Sequence, residues 1–296
     1  FKENYYEEVE KLKNIIELVS EKELRNVLFC CASNILRDYS LQEPADLRIR
    51  RRKSNYPSES FIDRFISVCL LFSENAKNVS EVYKVKQINK AFNIDIRDAN
   101  ATKKYGGYTA AITSPPYATA LPYIDTQRLS LIWLGHTDPK ETRKLEHELI
   151  GSREISKKNQ NTFNESLSSK NFLLPKELQQ LCLDMNSSLG NDDGFRRQAM
   201  PSLMYRYFLD MQNMFNNVHK MLKKGGTFAL VVGHNQTTLG GKTLLLDTPS
   251  YLTQIAEFNG WDLEESLPLE TYQRYGLHSK NAVKSEQLIL LRRDSY

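Results

Sequence analysis

Glycine is missing from the first third of this 296-residue chain, since the first glycine is Gly106. A turn whose backbone closely approaches a bound dinucleotide requires glycines where a strand leads into a helix. No turn of that composition can therefore lie within residues 1–105. The thirteen glycines of the whole chain also include no Gly-x-Gly pair, so such a turn is not found further along either.

Cysteine and long apolar runs are scarce as well. Cys30, Cys31, Cys69 and Cys182 form no Cys-x-x-Cys pair and show no zinc-ligand spacing. We therefore expect no metal site, and reduced thiols in a cytoplasmic protein. No apolar run approaches the roughly 20 residues that span a bilayer, which argues against a membrane partner. Residues 1–20 are charged throughout, which excludes a signal peptide there.

The composition is that of an ordinary globular protein. Hydrophobic residues make up 40% of the chain and charged residues 26%. The length allows one large domain or two small ones. The net charge of +4 permits binding to nucleic acid without requiring it.

The strongest local signal is Thr109–Tyr117, Thr-Ala-Ala-Ile-Thr-Ser-Pro-Pro-Tyr. The apolar run Tyr108–Thr113 predicts a buried strand. Two consecutive prolines end it, because proline cannot donate a hydrogen bond to a neighbouring strand. In an open α/β sheet, ligands bind at the carboxyl ends of strands. We therefore expect a rigid loop that presents Ser114, the Pro115 carbonyl and the Tyr117 ring to a ligand.

This loop suits a planar amine. Ser114 and the Pro115 carbonyl can accept both hydrogens of an NH₂ group, which would draw the nitrogen lone pair out of conjugation and make it nucleophilic. Tyr117 can stack on the ring that carries the amine. The exocyclic amine of a nucleobase fits, and in duplex DNA the base must first be flipped out. An ordinary strand followed by a Pro-Pro turn is the structural alternative.

The segment Thr-Ser-Pro-Pro-Tyr, residues 113–117, resembles the catalytic motif of the S-adenosylmethionine-dependent DNA amino-methyltransferases. The sequence Ser-Pro-Pro-Tyr is most typical of N4-cytosine enzymes, whereas Asp-Pro-Pro-Tyr is more typical of N6-adenine enzymes. Residues 121–135 resemble the helix that follows this motif in one group of these enzymes. The helix at 207–226 and the strand after it are similar to the same group, and the resemblance covers roughly residues 85–295.

The resemblance implies methyl transfer from S-adenosylmethionine to the exocyclic amine of a flipped base in double-stranded DNA. The expected target is N4 of cytosine, and N6 of adenine is the alternative. The amine attacks the methyl group directly, so no cysteine nucleophile is needed. Ser114, Pro115, Pro116 and Tyr117 are the expected catalytic residues. Such enzymes occur in restriction–modification systems, which leaves open a restriction endonuclease as partner. Methylation of RNA or of glutamine, and a non-catalytic DNA-recognition subunit, are further alternatives.

The implied fold is α/β, the C-terminal portion of a Rossmann-like methyltransferase sheet with an antiparallel edge hairpin and a helical insertion. Residues 1–84 are expected to form a helical region with a basic loop, a candidate DNA-recognition insertion. Residues 85–296 would form the catalytic core, with a polar, partly irregular insertion at 136–200. The first two strands of such a sheet are not found. We expect Phe1 to follow the second strand, with the missing strands cleaved, disordered or on another polypeptide.

Apolar periodicity and stop signals predict the individual elements. Residues 150–175, between the helices predicted at 139–150 and 175–187, are expected to be irregular. Helical periodicity is found over 4–37, with a second helical pattern at 23–37. Further helices are predicted at 58–77, 123–135, 139–150, 175–187, 200–223 and 249–259, and strands at 92–96, 108–113, 227–232, 261–269 and 287–292.

The cofactor site is predicted in part. From the resemblance, Asp98 at the end of strand 92–96 should hydrogen-bond the cofactor adenine, with Ala99 and Thr113 beside it. A turn-forming aspartate is the structural alternative. The glycine-rich turn that would hold the methionine part of S-adenosylmethionine is missing. We therefore expect an N-terminal segment or a second chain to supply it.

DNA contacts are predicted at two places. His234 and Asn235, after strand 227–232, are expected to reach the target base or its backbone, with a structural histidine as the alternative. The densest cationic run is expected to neutralise phosphates, which would make binding sensitive to salt; a solvated loop is the alternative. That run comprises Arg48, Arg50, Arg51, Arg52 and Lys53.

Overall fold

A computed structural model describes residues 1–46, 48–83, 90–118, 123–168, 173–270 and 285–294. The chain forms two compact units. The first consists of Phe1–Ala91 and Pro122–Leu145, and the second of Phe92–Leu121 and Glu146–Tyr296. No helix in these described ranges is long and apolar enough to cross a bilayer.

Eleven helices and six strands are found among the described residues. In chain order they are α1 (Glu3–Glu17), α2 (Lys22–Tyr39), α3 (Phe61–Tyr83), α4 (Ala99–Thr102), β1 (Tyr108–Thr113), α5 (Tyr123–Trp133), α6 (Thr142–Glu148), α7 (Lys157–Ser168), α8 (Lys176–Ser187), α9 (Phe195–Gln198), α10 (Met200–Met221), β2 (Leu222–Gly233), β3 (Asn235–Leu239), β4 (Lys242–Leu246), α11 (Thr248–Phe258), β5 (Trp261–Glu270) and β6 (Ser285–Arg293).

The first unit is a helical assembly in which α1, α2, α3 and α5 share one apolar core. Val9 of α1, Leu36 of α2 and Phe61 of α3 are completely buried in it. Each large apolar side chain that is buried in this way contributes about 1.5–3 kcal/mol. Trp133 joins α5 to this core, and its carbonyl accepts a hydrogen bond of 2.9 Å from Lys13 Nζ. The helix after the Ser-Pro-Pro-Tyr loop thus packs with the N-terminal helices.

The second unit contains a four-stranded sheet in the order β1-β2-β6-β5. β1 and β2 are parallel, whereas β6 is antiparallel to both of its neighbours. The prediction of an α/β sheet that ends in an antiparallel hairpin is confirmed. β3 and β4 form a separate two-stranded ribbon that was not predicted. Its turn is Gly240-Gly241, where both residues have positive φ.

One face of this sheet carries the main core of the unit. Phe228, Leu230 and Val232 alternate along β2 and are buried against α10 and α11. The Phe215 ring of α10 meets the Phe228 ring edge-on, with 6.0 Å between the centroids. The opposite face is more open, because Ile112 of β1 is 79% exposed.

Two predictions of local structure are wrong. Residues 92–96 do not form a strand, and the Ile96 carbonyl instead accepts a hydrogen bond of 2.8 Å from Asn217 of α10. Asp98 therefore caps the short helix α4 instead of ending a strand. The stretch 150–175, expected to be irregular, contains α7.

Candidate active site

The Ser-Pro-Pro-Tyr loop leaves the carboxyl end of β1, as predicted. Thr113, the last residue of β1, is paired with Leu230 of the parallel strand β2. Ser114 is exposed, Pro115 is buried, and Tyr117 is half-buried. Pro116 is half-buried as well. The loop therefore displays the Ser114 hydroxyl to solvent while its prolines anchor it to the protein.

Tyr117 is fixed through its hydroxyl group. The phenol donates a hydrogen bond to Glu286 Oε1. Glu286 lies near the start of β6, where it pairs with Gly233 at the end of β2. The ring also packs against the main core of the second unit. Sequence reasoning missed Glu286 because it follows Tyr117 by 169 residues, and only the pairing of β2 with β6 brings it to the loop.

Asn235 fixes the next residue of the loop. Its Nδ2 donates a hydrogen bond of 2.5 Å to the Ala118 carbonyl, and its Oδ1 accepts one of 2.8 Å from the Gln236 amide. The side chain that we expected to reach DNA is therefore used to hold the loop. Its neighbour His234 lies with Nδ1 3.1 Å from Asp247 Oδ1, the residue that caps α11.

Gly151 packs directly on the backbone of Tyr117. Its φ is +73°, and a Cβ at this position would lie 2.6 Å from the Tyr117 carbonyl oxygen. Only glycine fits both requirements. The residues that follow are held by Arg206 of α10, which donates hydrogen bonds to the carbonyls of Ser152 at 2.7 Å and Glu154 at 3.0 Å. This segment supports the loop from the side of α10.

Arg97 ties the segment before β1 to α10 in the same way. Its guanidinium contacts Asp95 at 2.7 Å and Asp210 of α10 at 3.2 Å, and it donates a hydrogen bond of 2.8 Å to the Glu148 carbonyl. Burial raises the pKa of Asp210, whereas the hydrogen bond from Arg97 lowers the pKa of Asp95. Residues 95–98 are thus positioned by an ion-pair network that sequence reasoning did not anticipate.

The three predicted cofactor residues lie in different surroundings. Asp98 and Ala99 are exposed, and Thr113 is half-buried. Asp98 Oδ1 accepts a hydrogen bond of 2.8 Å from the Asn100 amide, which is the capping interaction at the start of α4. One carboxylate oxygen of Asp98 is therefore committed to the fold of its own segment.

The basic run lies in the first unit and forms a small ordered loop. Arg51 pairs with Gln42 in an antiparallel bridge. Two more backbone hydrogen bonds flank it, from Glu43 to Arg50 at 2.9 Å and from Arg52 to Leu41 at 2.8 Å. The run is therefore part of an ordered loop that backbone pairing holds in place.

The cations of this run divide into two groups. Arg50 pairs with Asp46 at 2.9 Å. Arg52 donates a hydrogen bond of 2.7 Å to the Asp38 carbonyl and lies 4.4 Å from the centre of the Tyr56 ring. These two arginines hold the loop together. Arg48, Arg51 and Lys53 are exposed side chains that point to solvent from this ordered frame.

No family model matches this chain, and no curated protein matches it. A solved chain of Thermus thermophilus, provisionally named a DNA modification methylase, aligns with 68% of this chain and 52% of its own length at 10% identity, with a TM-score of 0.31. Its complex with S-adenosyl-L-methionine aligns over 32% and 40% at 14% identity, with a TM-score of 0.28. A SAM-dependent methyltransferase of Methanosarcina mazei aligns over 30% and 53% at 11% identity, with a TM-score of 0.22. The alignments span about half of these chains or less. Because the TM-scores and identities are low, the function has to be argued from the site itself.

Proposed function

We propose that this chain carries the base-binding part of a DNA amino-methyltransferase that uses S-adenosylmethionine, with cytosine N4 as the target. The observation that supports this most strongly is the loop after β1. It combines an exposed hydroxyl at Ser114, a proline carbonyl beside it, and an aromatic ring at Tyr117 that a hydrogen bond fixes. These are the groups needed to hold a planar amine attached to a ring.

The chain's own residues would position the base rather than react with it. Ser114 Oγ and the Pro115 carbonyl accept the two amine hydrogens, and hydrogen-bond acceptors that are held in place stabilise the charge that develops on the amine. Tyr117 stacks on the base, which is worth about 1–3 kcal/mol. Glu286 and Asn235 hold the loop from two sides, so little freedom remains to be lost on binding.

The described residues do not form a complete site for S-adenosylmethionine. Asp98, Ala99 and Thr113 offer polar groups near the start of α4 and the end of β1. One carboxylate oxygen of Asp98 already caps α4. The sequence also has no glycine-rich turn after a strand. We therefore propose that the rest of the cofactor site comes from an N-terminal segment or a second chain.

The test uses the assembly that forms around this chain in its host, purified through a tag on the chain. The assembly is incubated with double-stranded DNA and methyl-labelled S-adenosylmethionine, and the DNA is digested to nucleosides for mass spectrometry. We expect labelled N4-methylcytosine. We expect Ser114→Ala to abolish it, while Ser187→Ala, the same change at an exposed position of α8, leaves it intact.

Other products would assign other functions. Labelled N6-methyladenine would move the target to adenine. Calorimetric binding of S-adenosylmethionine without any labelled nucleoside would contradict the proposal, and binding of DNA without binding of the cofactor would favour the recognition subunit. Cleavage of unmethylated DNA by the same assembly would identify a restriction endonuclease as partner.

A further inference from the structure

The β3–β4 ribbon begins at the Ser-Pro-Pro-Tyr loop. β3 starts at Asn235, whose side chain donates a hydrogen bond of 2.5 Å to the Ala118 carbonyl, and Ala118 follows Tyr117 directly. Gln236 comes one residue after this contact, which is about 3.8 Å of backbone. The ribbon is therefore continuous with the loop that is proposed to bind the base.

The far end of the ribbon is held as well. The Gly240 amide in its turn donates a hydrogen bond of 2.7 Å to Asp193 Oδ2, and the Gly190 amide donates one of 2.9 Å to the same oxygen. Asp193 is buried. A Cβ on Gly240 would collide with the Ser188 carbonyl oxygen, so the turn packs closely on the segment after α8. Both ends of the ribbon are thus fixed, which is what a surface that reads bases requires.

The two faces of the ribbon differ in chemistry. Leu239 and Leu246 are buried on the face that joins the main core of the second unit. Because side chains alternate along a strand, two cross-strand pairs lie on the outward face. They are Gln236 with Leu245 and Thr238 with Thr243. Thr238 is half-buried, and the other three are exposed. The outward face therefore offers an amide, two hydroxyl groups and an apolar side chain, and it carries no charge.

These side chains match the major-groove edge of an A·T base pair. The amide of a glutamine can bond adenine at both N6 and N7, and an apolar side chain can pack on the methyl group of thymine. Gln236 and Leu245 are opposite each other in the ribbon, where Cβ atoms lie about 5 Å apart, so both can reach the same base pair. The major groove is wide enough to admit a two-stranded ribbon. The outward face is therefore suited to reading bases.

We propose that the outward face of the β3–β4 ribbon enters the major groove beside the flipped base and reads an A·T pair there, with Gln236 on the adenine and Leu245 on the thymine methyl group. This rests on the proposed function, because it takes DNA as the substrate and adds a base pair that the chain selects. Thr238 and Thr243 lie two residues further along, about 7 Å, which is close to two base steps of about 3.4 Å each. Their hydroxyl groups contact the base edges at that distance.

The test measures binding of DNA and not methylation. The assembly purified through the tagged chain is mixed with a pool of duplexes that carry one mispaired cytosine, which is easily flipped, and random base pairs on both sides. The bound DNA is then sequenced. We expect A·T to be enriched roughly 5- to 150-fold over other pairs at one position close to the cytosine. Gln236→Ala should remove this enrichment, whereas Gln180→Ala, the same change at an exposed position of α8, should keep it.

Changes in the DNA test the two contacts without altering the protein. Uracil in place of the selected thymine removes its methyl group, and 7-deazaadenine in place of the adenine removes the N7 acceptor. We expect uracil to weaken binding to the unaltered chain about fourfold and to have no effect on Leu245→Ala. The 7-deazaadenine duplex should bind the unaltered chain less tightly, and Gln236→Ala should not distinguish it from adenine.

Three results would overturn the reading of an A·T pair by the ribbon: no enriched pair near the cytosine, an enrichment that Gln236→Ala leaves unchanged, or a uracil effect that persists in Leu245→Ala. Binding of DNA without any preference would refute the role of the ribbon and leave the proposed methyl transfer standing. A preference that depends on Gln236, found together with no labelled nucleoside, would refute methyl transfer and leave the role of the ribbon standing. No binding to any duplex would contradict both.

Discussion

Tyr117 owes its position to residues that are distant in the sequence. Glu286 accepts its hydroxyl hydrogen bond, and Gly151 packs on its carbonyl oxygen. The motif itself could be found in the sequence, since two prolines after an apolar run define a strand end. The supporting residues could not, because a lone glutamate and a lone glycine carry no signal until the strands are paired. Asn235 did attract notice through its place after β2, but the sequence predicted a contact with DNA and not the hydrogen bond to the Ala118 carbonyl.

Replacement of Tyr117 should weaken base capture. Tyr117→Ala removes a stacking surface worth about 1–3 kcal/mol, so binding to DNA with one unpaired cytosine should fall roughly 5- to 150-fold. Tyr117→Phe keeps the ring and should restore most of this affinity. Glu286→Gln keeps an acceptor for the phenol and serves as a mild control. Fluorescence anisotropy measures these affinities, and equal affinity of Tyr117→Ala and the wild type would refute stacking.

Replacement of Gly151 should be costly for stability. Gly151→Ala forces a left-handed backbone on a residue with a side chain, at a cost of about 1–2 kcal/mol, and its Cβ would collide with the Tyr117 carbonyl. We expect a lower free energy of unfolding in urea. Gly194→Ala is the matched control, because Gly194 has negative φ and open space around it. Equal stability of the two variants would contradict the close packing of Gly151 on the Tyr117 carbonyl.

At the scale of elements, α10 is the part that organises the second unit. Its Arg206, Asp210 and Asn217 hold the segments on either side of the loop. Its amphipathic pattern and the strand after it were predictable, as was the β5–β6 hairpin. Strand 92–96 was mispredicted because its apolar pattern says nothing about a distant side chain such as Asn217 of α10, which hydrogen-bonds the Ile96 carbonyl. The β3–β4 ribbon did carry a signal, Gly240-Gly241 between two Thr- and Leu-containing runs, which is typical of a hairpin.

The basic loop yields a prediction about salt. Changing Arg48, Arg51 and Lys53 together to Ala should weaken binding to unrelated DNA sequences. The plot of log binding constant against log salt concentration should also become less steep by about 2–3, because each phosphate contact contributes about 0.9 to its slope. Arg50 and Arg52 are left in place because they hold the loop. The control changes three exposed lysines of the same unit, Lys11, Lys22 and Lys77. Equal slopes for the two triple variants would mean that the loop makes no phosphate contact.

The same loop should respond to acid. Glu43 accepts hydrogen bonds from the amides of Lys53 and Ser54, which lowers its pKa from 4.5 to about 2. Because the folded pKa is depressed, the stabilising contribution is present above about pH 4.5 and is lost as the pH falls towards 2. The amide shifts of Lys53 and Ser54 should titrate with a midpoint near 2 and become insensitive in Glu43→Gln. A midpoint near 4.5 would show that these hydrogen bonds are absent.

At the scale of the whole molecule, the chain combines a helical unit with a second unit that contains a four-stranded sheet. The α/β class was expected from the resemblance of the motif region, and the order of predicted helices and strands agreed with it. The division into units did not, because α5 joins the N-terminal helices through Trp133, a contact with no local signature. The central claim is that the loop after β1 receives the amine of a DNA base, and this can be measured without the cofactor.

The most direct measurement follows the amine itself. A short DNA strand with one cytosine labelled with nitrogen-15 at N4 is added to the full chain, and the two amino protons are observed by NMR. If Ser114 Oγ and the Pro115 carbonyl both accept hydrogen bonds, the two protons should shift downfield and exchange slowly with water. Ser114→Ala should release one of them, while Ser187→Ala should release neither. Amino signals that stay identical to those of the free strand, although the DNA is bound, would contradict the account.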